Sequence, residues 1–170
     1  RRPRTHVVCG PEMPASQRDD VEARVRNLPR ASMQVFCDDM MSLMGAADVA
    51  VTMGGYNTVC EVLANRLRAV VVPRTEPGVE QWLRATRMAA RGFLRMVEPS
   101  TLEPVGLMDA VLAQIDAHAR REPLPRLASM RGLTELMGRD FAPDDPRRRY
   151  ATTMLQSIDR LNELVENLLL

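Results

Sequence analysis

Apolar positions in the first 119 residues fall alternately into short continuous runs and into stripes of helical spacing. Thr5-His6-Val7-Val8-Cys9 is an apolar run closed by Gly10-Pro11, which predicts a buried strand and a loop. From Ser16 to Leu28 the apolar positions Val21, Val25 and Leu28 stand among charges, the pattern of a surface helix with one apolar stripe, and Pro29 ends it. Ser32 to Phe36 predicts a second strand ending at Cys37-Asp38-Asp39, and Met40 to Ala46 a short helix. Asp48 to Met53 is the next strand; it runs into Gly54-Gly55 and a helix, Asn57 to Asn65, with Val59, Val62 and Leu63 on its inner side. Ala69-Val70-Val71-Val72-Pro73 is nearly all apolar, as expected of a strand covered on both faces of a parallel sheet. Gln81 to Arg91 is helical with Gly92 as its C-cap, Leu94 to Val97 a short edge strand, and Leu107 to Ala119 a further helix. Strands alternating with helices at this spacing predict an α/β fold with a doubly wound parallel sheet, whose ligands bind at the carboxyl ends of the strands.

Beyond Ala119 the pattern changes. Residues 120–143 are punctuated by Pro123, Pro125 and Pro143 around one short helix at Leu127 to Met137, and read as a linker. Asp144-Asp145-Pro146 then supplies an N-cap followed by proline, opening an amphipathic helix over 144–170. Along it Met154, Ile158, Leu161, Val165 and Leu168 follow at heptad intervals for about two heptads. Such a seam suits packing on the chain's own domain or pairing with a partner helix in a dimer. The predicted organisation is therefore a domain over 1–119, a linker over 120–143 and a C-terminal helix over 144–170.

Composition narrows the function classes. With 170 residues, 45% hydrophobic and 26% charged, there is room for one compact domain and an appended element. The 23 basic and 22 acidic residues leave a net charge of +1, so no overall attraction to nucleic acid or to an acidic membrane is implied. Every basic residue is arginine, which is read as coding bias ahead of a phosphate-gripping surface. No apolar stretch approaches the roughly 20 residues of a transmembrane segment. The opening Arg1-Arg2-Pro3-Arg4, without a methionine or a signal core, is expected of an excerpt from a longer protein. Cys9, Cys37 and Cys60 match neither a zinc pattern nor a disulfide framework, so they are expected buried and reduced, in the cytoplasm.

The strongest chemical signal is Met53-Gly54-Gly55-Tyr56-Asn57-Thr58-Val59-Cys60-Glu61. It sets a glycine turn at a strand's end against a helix start, whose unsatisfied N–H groups bind anions. Gly54 and Gly55 would let a phosphate approach the backbone, Asn57 and Thr58 would add donors, and Glu61, one turn on, could accept hydrogen bonds from vicinal sugar hydroxyls. Together these suit a ribose diphosphate. For the two glycines alone, a plain tight turn with a solvated Glu61 is the commoner reading. Neither a G-x-G-x-x-G fingerprint nor a G-K-[ST] phosphate loop is present, which disfavours nicotinamide-dependent enzymes and P-loop NTPases.

The colinear series Phe36-Cys37-Asp38-Asp39-Met40, Ala47-Asp48-Val49-Ala50-Val51, Gly55 to Glu61, Val72-Pro73-Arg74 and Glu80-Gln81-Trp82 resembles the C-terminal, donor-binding half of GT-B glycosyltransferases of family 28. The resemblance covers roughly Thr5 to Ala119. It implies one Rossmann-like half of a GT-B fold, in an inverting hexosyltransferase that moves a sugar from a nucleotide-sugar, a UDP-sugar, to an acceptor hydroxyl. By the same resemblance Phe36 and Cys37 would hold the uracil ring, Gly54, Gly55, Asn57 and Thr58 the diphosphate, Glu61 the ribose, and Glu80, Gln81 and Arg84 the donor sugar. No metal or other cofactor is implied. The acceptor site and catalytic base would lie in an N-terminal domain outside this chain, so no catalytic residue is assigned and the chain alone should bind without catalysing. Two departures leave the donor open: the first loop, Gly10-Pro11-Glu12-Met13, offers few amide donors and adds a negative charge, and Glu80 and Arg84 stand where neutral amides are common.

The remaining chemistry-bearing residues read as structural. His6 and His118 have no Ser or Cys partner at a diagnostic spacing; Met40, Met41 and Met44 suit core filling ahead of a base pocket; Arg147-Arg148-Arg149 reads as a solvated face or a partner contact. The tail from Asp144 to Leu169, preceded by Ala128 to Leu136, resembles the dimerisation hairpin of sensor histidine kinases. His118, Arg121, Pro123 and Leu124 echo its phosphoacceptor box, yet the register that fits the later residues puts Arg121 where the histidine belongs. Phosphotransfer is therefore not expected. The alternative function is a helical dimerisation or signalling module attached to an α/β scaffold.

Overall fold

The computed structural model describes residues 3–10, 12–76 and 78–124, together with Thr152, Gln156 and Asp159, which are helical. The predicted short helix at 127–137, the opening of the last helix at Arg147 to Arg149 and the whole apolar seam from Met154 to Leu168 lie outside the described residues. The chain divides into two units, Arg1–Ser42 and Leu43–Leu170.

In the first unit β1 (Thr5–Val8) and β2 (Ala31–Gln34) pair in parallel, with Thr5 opposite Ala31 and Val8 opposite Gln34. Between them runs α1 (Ala15–Arg26), which packs on β2 and carries Arg24 and Arg26 in its last turn, where cations complement the helix dipole. Its stripe is narrower than expected. Val21 and Val25 are half-buried, but the helix stops at Arg26, so Leu28 falls in the following turn and is 55% exposed. The second strand also stops early, at Gln34, which leaves Val35 and Phe36 beyond the paired segment. Asp39 then caps α2 (Met40–Gly45) by accepting the Ser42 N–H at 2.9 Å.

The second unit contains β3 (Val49–Thr52), α3 (Tyr56–Ala64), β4 (Arg68–Val71), α4 (Glu80–Ala89), β5 (Arg95–Met96), a 3-10 turn at Pro99–Thr101 and α5 (Pro104–Ala119). Its strands form one parallel sheet in the order β3-β4-β5. The middle strand is buried at every position and holds the first three residues of the apolar run, Ala69 to Val71, preceded by Arg68; α5 packs on β3 and β4 and α4 on β5. Val59 and Val62 of α3, Ala85 and Met88 of α4, and Ala110 and Ala117 of α5 complete the core around it. This is the expected α/β, Rossmann-like arrangement of parallel strands and covering helices.

Helix ends in this unit share one device. After α4, Gly92 takes φ +76°, its N–H donates to Ala89 O, and Phe93 N–H donates to Met88 O, closing a Schellman motif as the predicted C-cap required. After α3 and α5 the same hydrogen-bond pair is made by Arg66-Leu67 and Arg121-Glu122, with arginine in the left-handed position at φ 50° and 54°. Cys9, Cys37 and Cys60 form no disulfide and are half-buried, not buried as expected. Among the described residues no helix is long and apolar enough to cross a membrane.

Candidate functional site

The glycine pair sits where β3 gives way to α3. Gly54 is buried at φ +74°, and a Cβ built on it would stand 2.7 Å from Val71 Cγ1, so both the backbone angle and the close approach to β4 require glycine. Its N–H donates to Thr52 Oγ1 at 3.2 Å, and its carbonyl accepts from Arg84 Nη1 at 2.9 Å. The turn is thus held on one side by the strand it leaves and on the other by α4. Gly55 is the N-cap of α3 and makes no side-chain cap hydrogen bond. Helix geometry leaves the first-turn N–H groups of Tyr56, Asn57 and Thr58 without an intrahelical acceptor, and an N-terminus of this kind favours an anion.

Asn57 is exposed, while Thr58 and Glu61 are half-buried on the same first turns of α3. Loss of water around Glu61 pushes its carboxyl above the ordinary glutamate range. A half-dehydrated carboxylate is a ready acceptor for hydroxyl donors, which would replace the water it has lost.

The loop after β4 and the start of α4 add a second group. Arg74 N–H donates to Gln81 Oε1 at 3.2 Å, which ties the loop to the helix and leaves the Gln81 amide nitrogen as its donor. The Glu80 carboxylate folds back against Gly78, where a Cβ would collide with it. Arg84, one turn further along α4, is only 7% exposed and is aimed at the Gly54 carbonyl. The structure therefore brings Gly54, Gly55, Asn57, Thr58, Glu61 and Arg84 into one neighbourhood, with Glu80 and Gln81 a turn away from Arg84. Phe36 and Cys37 belong to the first unit: both follow β2, Phe36 is 59% exposed and Cys37 half-buried.

Sequence reasoning missed the two braces on Gly54. Thr52 was visible only as a residue near the end of the predicted strand, which stops there and not at Met53. Arg84 shares the inward face of α4 with Ala85 and Met88, and a lone arginine on an apolar face was the signal that it serves the interior.

Comparison with known proteins gives the following. Residues 4–132 match the family model of the Glycosyltransferase family 28 C-terminal domain, and residues 127–170 match that of the His Kinase A (phospho-acceptor) domain. The chain is 31% identical over 101 residues to the UDP-N-acetylglucosamine--N-acetylmuramyl-(pentapeptide) pyrophosphoryl-undecaprenol N-acetylglucosamine transferase of Actinobacillus pleuropneumoniae serotype 5b, covering 59% of this chain and 25% of the relative. It is 34% identical over 76 residues to the enzyme of the same name from Corynebacterium efficiens, covering 45% and 21%. The chain thus spans about a quarter of the length of the curated relatives it matches. Among solved structures, MurG of Acinetobacter baumannii superposes with a TM-score of 0.52 at 21% identity, over 72% of this chain and 38% of that one.

Proposed function

We propose, because this chain belongs to the Glycosyltransferase family 28 C-terminal domain family, that it is the donor-binding half of an inverting glycosyltransferase that uses a UDP-sugar. The single observation that carries the reading is the braced glycine turn: Gly54 is fixed by Thr52, Val71 and Arg84, and the uncapped start of α3 follows it directly. In this reading the N–H groups of Tyr56, Asn57 and Thr58 receive the diphosphate, and the charge that develops on it as the sugar departs is spread over those amides and the helix dipole. Glu61 accepts the ribose hydroxyls. Glu80 and the Gln81 amide meet the donor sugar, and Phe36 and Cys37 the base. Arg84 acts one step removed, by holding the Gly54 carbonyl. The relatives carry UDP-N-acetylglucosamine in their names, which supports UDP as the nucleotide; a carboxylate at Glu80 argues for a sugar other than that one.

Neutralisation by amides and a helix terminus makes the scheme metal-independent. The acceptor, its activating base and the turnover itself are assigned to a further domain of the whole protein. Three thiols outside any disulfide suit a reducing, cytoplasmic setting. Calorimetric titration tests the reading: UDP and UDP-sugars should bind the chain with and without a chelator, and Glu61→Ala should weaken UDP by about 1.5–3 kcal/mol, the worth of a hydrogen bond to a charged group. Failure of any uridine or other nucleoside diphosphate to bind would sink it.

A second reading rests on the match of residues 127–170 to the His Kinase A (phospho-acceptor) domain. The chain's two histidines, His6 and His118, both lie outside that segment, so it holds no phosphoacceptor, and helix pairing is what the segment retains. Under this reading the chain would self-associate through its tail and ignore nucleotides, which sedimentation and the same titration separate from the first.

A further inference from the structure

Within the second unit, the start of β4 and the C-terminal ends of α3 and α5 line an open cavity of about 450 Å³, with Arg66, Arg68, His118, Arg121, Glu122 and Leu124 among its walls. We infer that this cavity is a binding site for a small phosphate ester, gripped by the guanidinium groups of Arg66, Arg68 and Arg121, and separate from the glycine turn.

Charge is the first ground. Three guanidinium groups line the cavity, and the Glu122 carboxylate is already engaged by Arg120 Nε at 2.9 Å. His118 Nε2 lies 3.3 Å from Asp48 Oδ1, which orients the ring but leaves the charge of that exposed carboxylate to be counted. The two helix ends contribute about half a negative charge each, which together with Asp48 offsets two arginines and leaves about one positive charge in excess. Guanidinium presents a planar fork of donors that fits phosphate oxygens two at a time.

Backbone placement is the second ground. Arg66 and Arg121 are the only non-glycine residues with positive φ among the described residues, and both line this one cavity. Each fills the left-handed position of a Schellman motif, where glycine is the least strained choice and where α4 does use Gly92. Arginine at a helix C-terminus also complements the dipole, and here that choice sets two guanidinium groups at the rim of one groove. Arg68 is pre-set as well: it is only 8% exposed, and its Nη2 donates to the Glu122 backbone carbonyl, holding the guanidinium beside the end of α5.

The ligand class follows from size and position. Small-molecule sites run from about 300 to 1,000 Å³, so this one admits an esterified phosphate rather than the bare ion alone. Arg68 opens β4, whereas Val71, against which Gly54 packs, ends it, about 10 Å away along the strand. The site is therefore independent of the proposed nucleotide.

Titration of the whole chain with inorganic phosphate and glycerol 3-phosphate, followed by NMR, tests the inference. Saturable binding of at least the ester is expected. The double variant Arg66→Gly, Arg121→Gly should bind it about tenfold to a hundredfold more weakly, as expected for lost charge-assisted hydrogen bonds, while its melting temperature stays level or rises because glycine relieves the left-handed strain. Arg121→Asn, which also tolerates that conformation, is the second variant and should weaken binding with the fold intact. UDP affinity should be unchanged in all of them. Co-sedimentation with phosphatidylcholine vesicles containing phosphatidic acid identifies the source: binding that the double variant loses points to a lipid headgroup, and its absence beside binding of the free ester points to a soluble one. No saturable binding of either soluble probe or the vesicles, equal binding by the glycine variant, or loss of UDP binding in step with the ester would overturn it.

Discussion

The two units use the same grammar, a strand, a helix and a parallel strand, and reach opposite degrees of burial. Every described apolar side chain that is buried, from Met44 to Ala117, belongs to the second unit, and the first contributes none. The difference lies in what covers each sheet. β4 has a neighbour strand on both sides and apolar helix faces against it, whereas within their own unit, among the described residues, β1 and β2 pair with each other and pack one helix whose polar residues outnumber its apolar ones. A parallel ladder is formed by backbone hydrogen bonds, but a core is formed by the number of apolar faces brought to it.

The sharpest way to break this comparison is to place one charge in each unit. Val70→Asp puts a carboxylate at a site with 0% exposure and should cost about 3–5 kcal/mol, read as a collapse of the unfolding midpoint in denaturant. Leu28→Asp, in the exposed turn of the first unit, should stay within about 0.5 kcal/mol. Similar losses at the two positions would mean that the first unit has a core of its own.

Gly54→Ala comes next. The left-handed backbone alone costs a residue with a Cβ about 1–2 kcal/mol, and the approach to Val71 adds to it. UDP affinity should fall with stability here, because the turn both packs on β4 and aims the amides.

Glu61→Gln separates those two roles. Burial raises this carboxyl's pKa above 4.5, so the folded chain holds its proton more tightly than the unfolded chain, and ionised Glu61 opposes folding at neutral pH. That opposition disappears as pH falls through the raised value. The variant should therefore melt slightly higher than the parent at pH 7 and equal to it near pH 4, while binding UDP more weakly. A lower melting temperature at pH 7 would place Glu61 among the stabilising residues instead.

The smallest effect belongs to the first unit. Hydrogen bonds from Ser42 hold the Asp39 carboxyl below its ordinary value, so its contribution is present above pH 3.8 and fades as pH falls through the lowered value. Asp39→Asn should shift the Ser42 amide resonance and move the unfolding midpoint least of these variants.

Much of this architecture was legible from spacing. The Ala69 to Pro73 run gave the buried middle strand because β-branched residues without polar alternation fit only a sheet covered on both faces. Gly92 gave a helix end, and the Gly54-Gly55 pair gave the turn at the head of α3. Spacing did not reveal that β2 ends before Phe36, since the apolar pattern continues past the last paired residue, nor that α1 stops before Leu28 although its stripe continues. The left-handed arginines were hidden for a related reason: a helix terminus is usually recognised by glycine, and Arg66 and Arg121 take its place without any change in the apolar period. Arg84 was legible as part of the site through family resemblance, but its aim at the Gly54 carbonyl is a contact between residues 30 apart in the chain, which no local pattern encodes.

Trp82, the only tryptophan in the chain, lies on α4 two residues before Arg84, and its indole N–H is shared between both oxygens of Glu98 at 2.9 and 3.1 Å. The segment 1–42 contains neither tryptophan nor tyrosine. Intrinsic fluorescence therefore watches one half of the molecule and is blind to the other: an emission melt beside a circular-dichroism melt gives two curves whose separation measures how far the two halves unfold together, without any label attached.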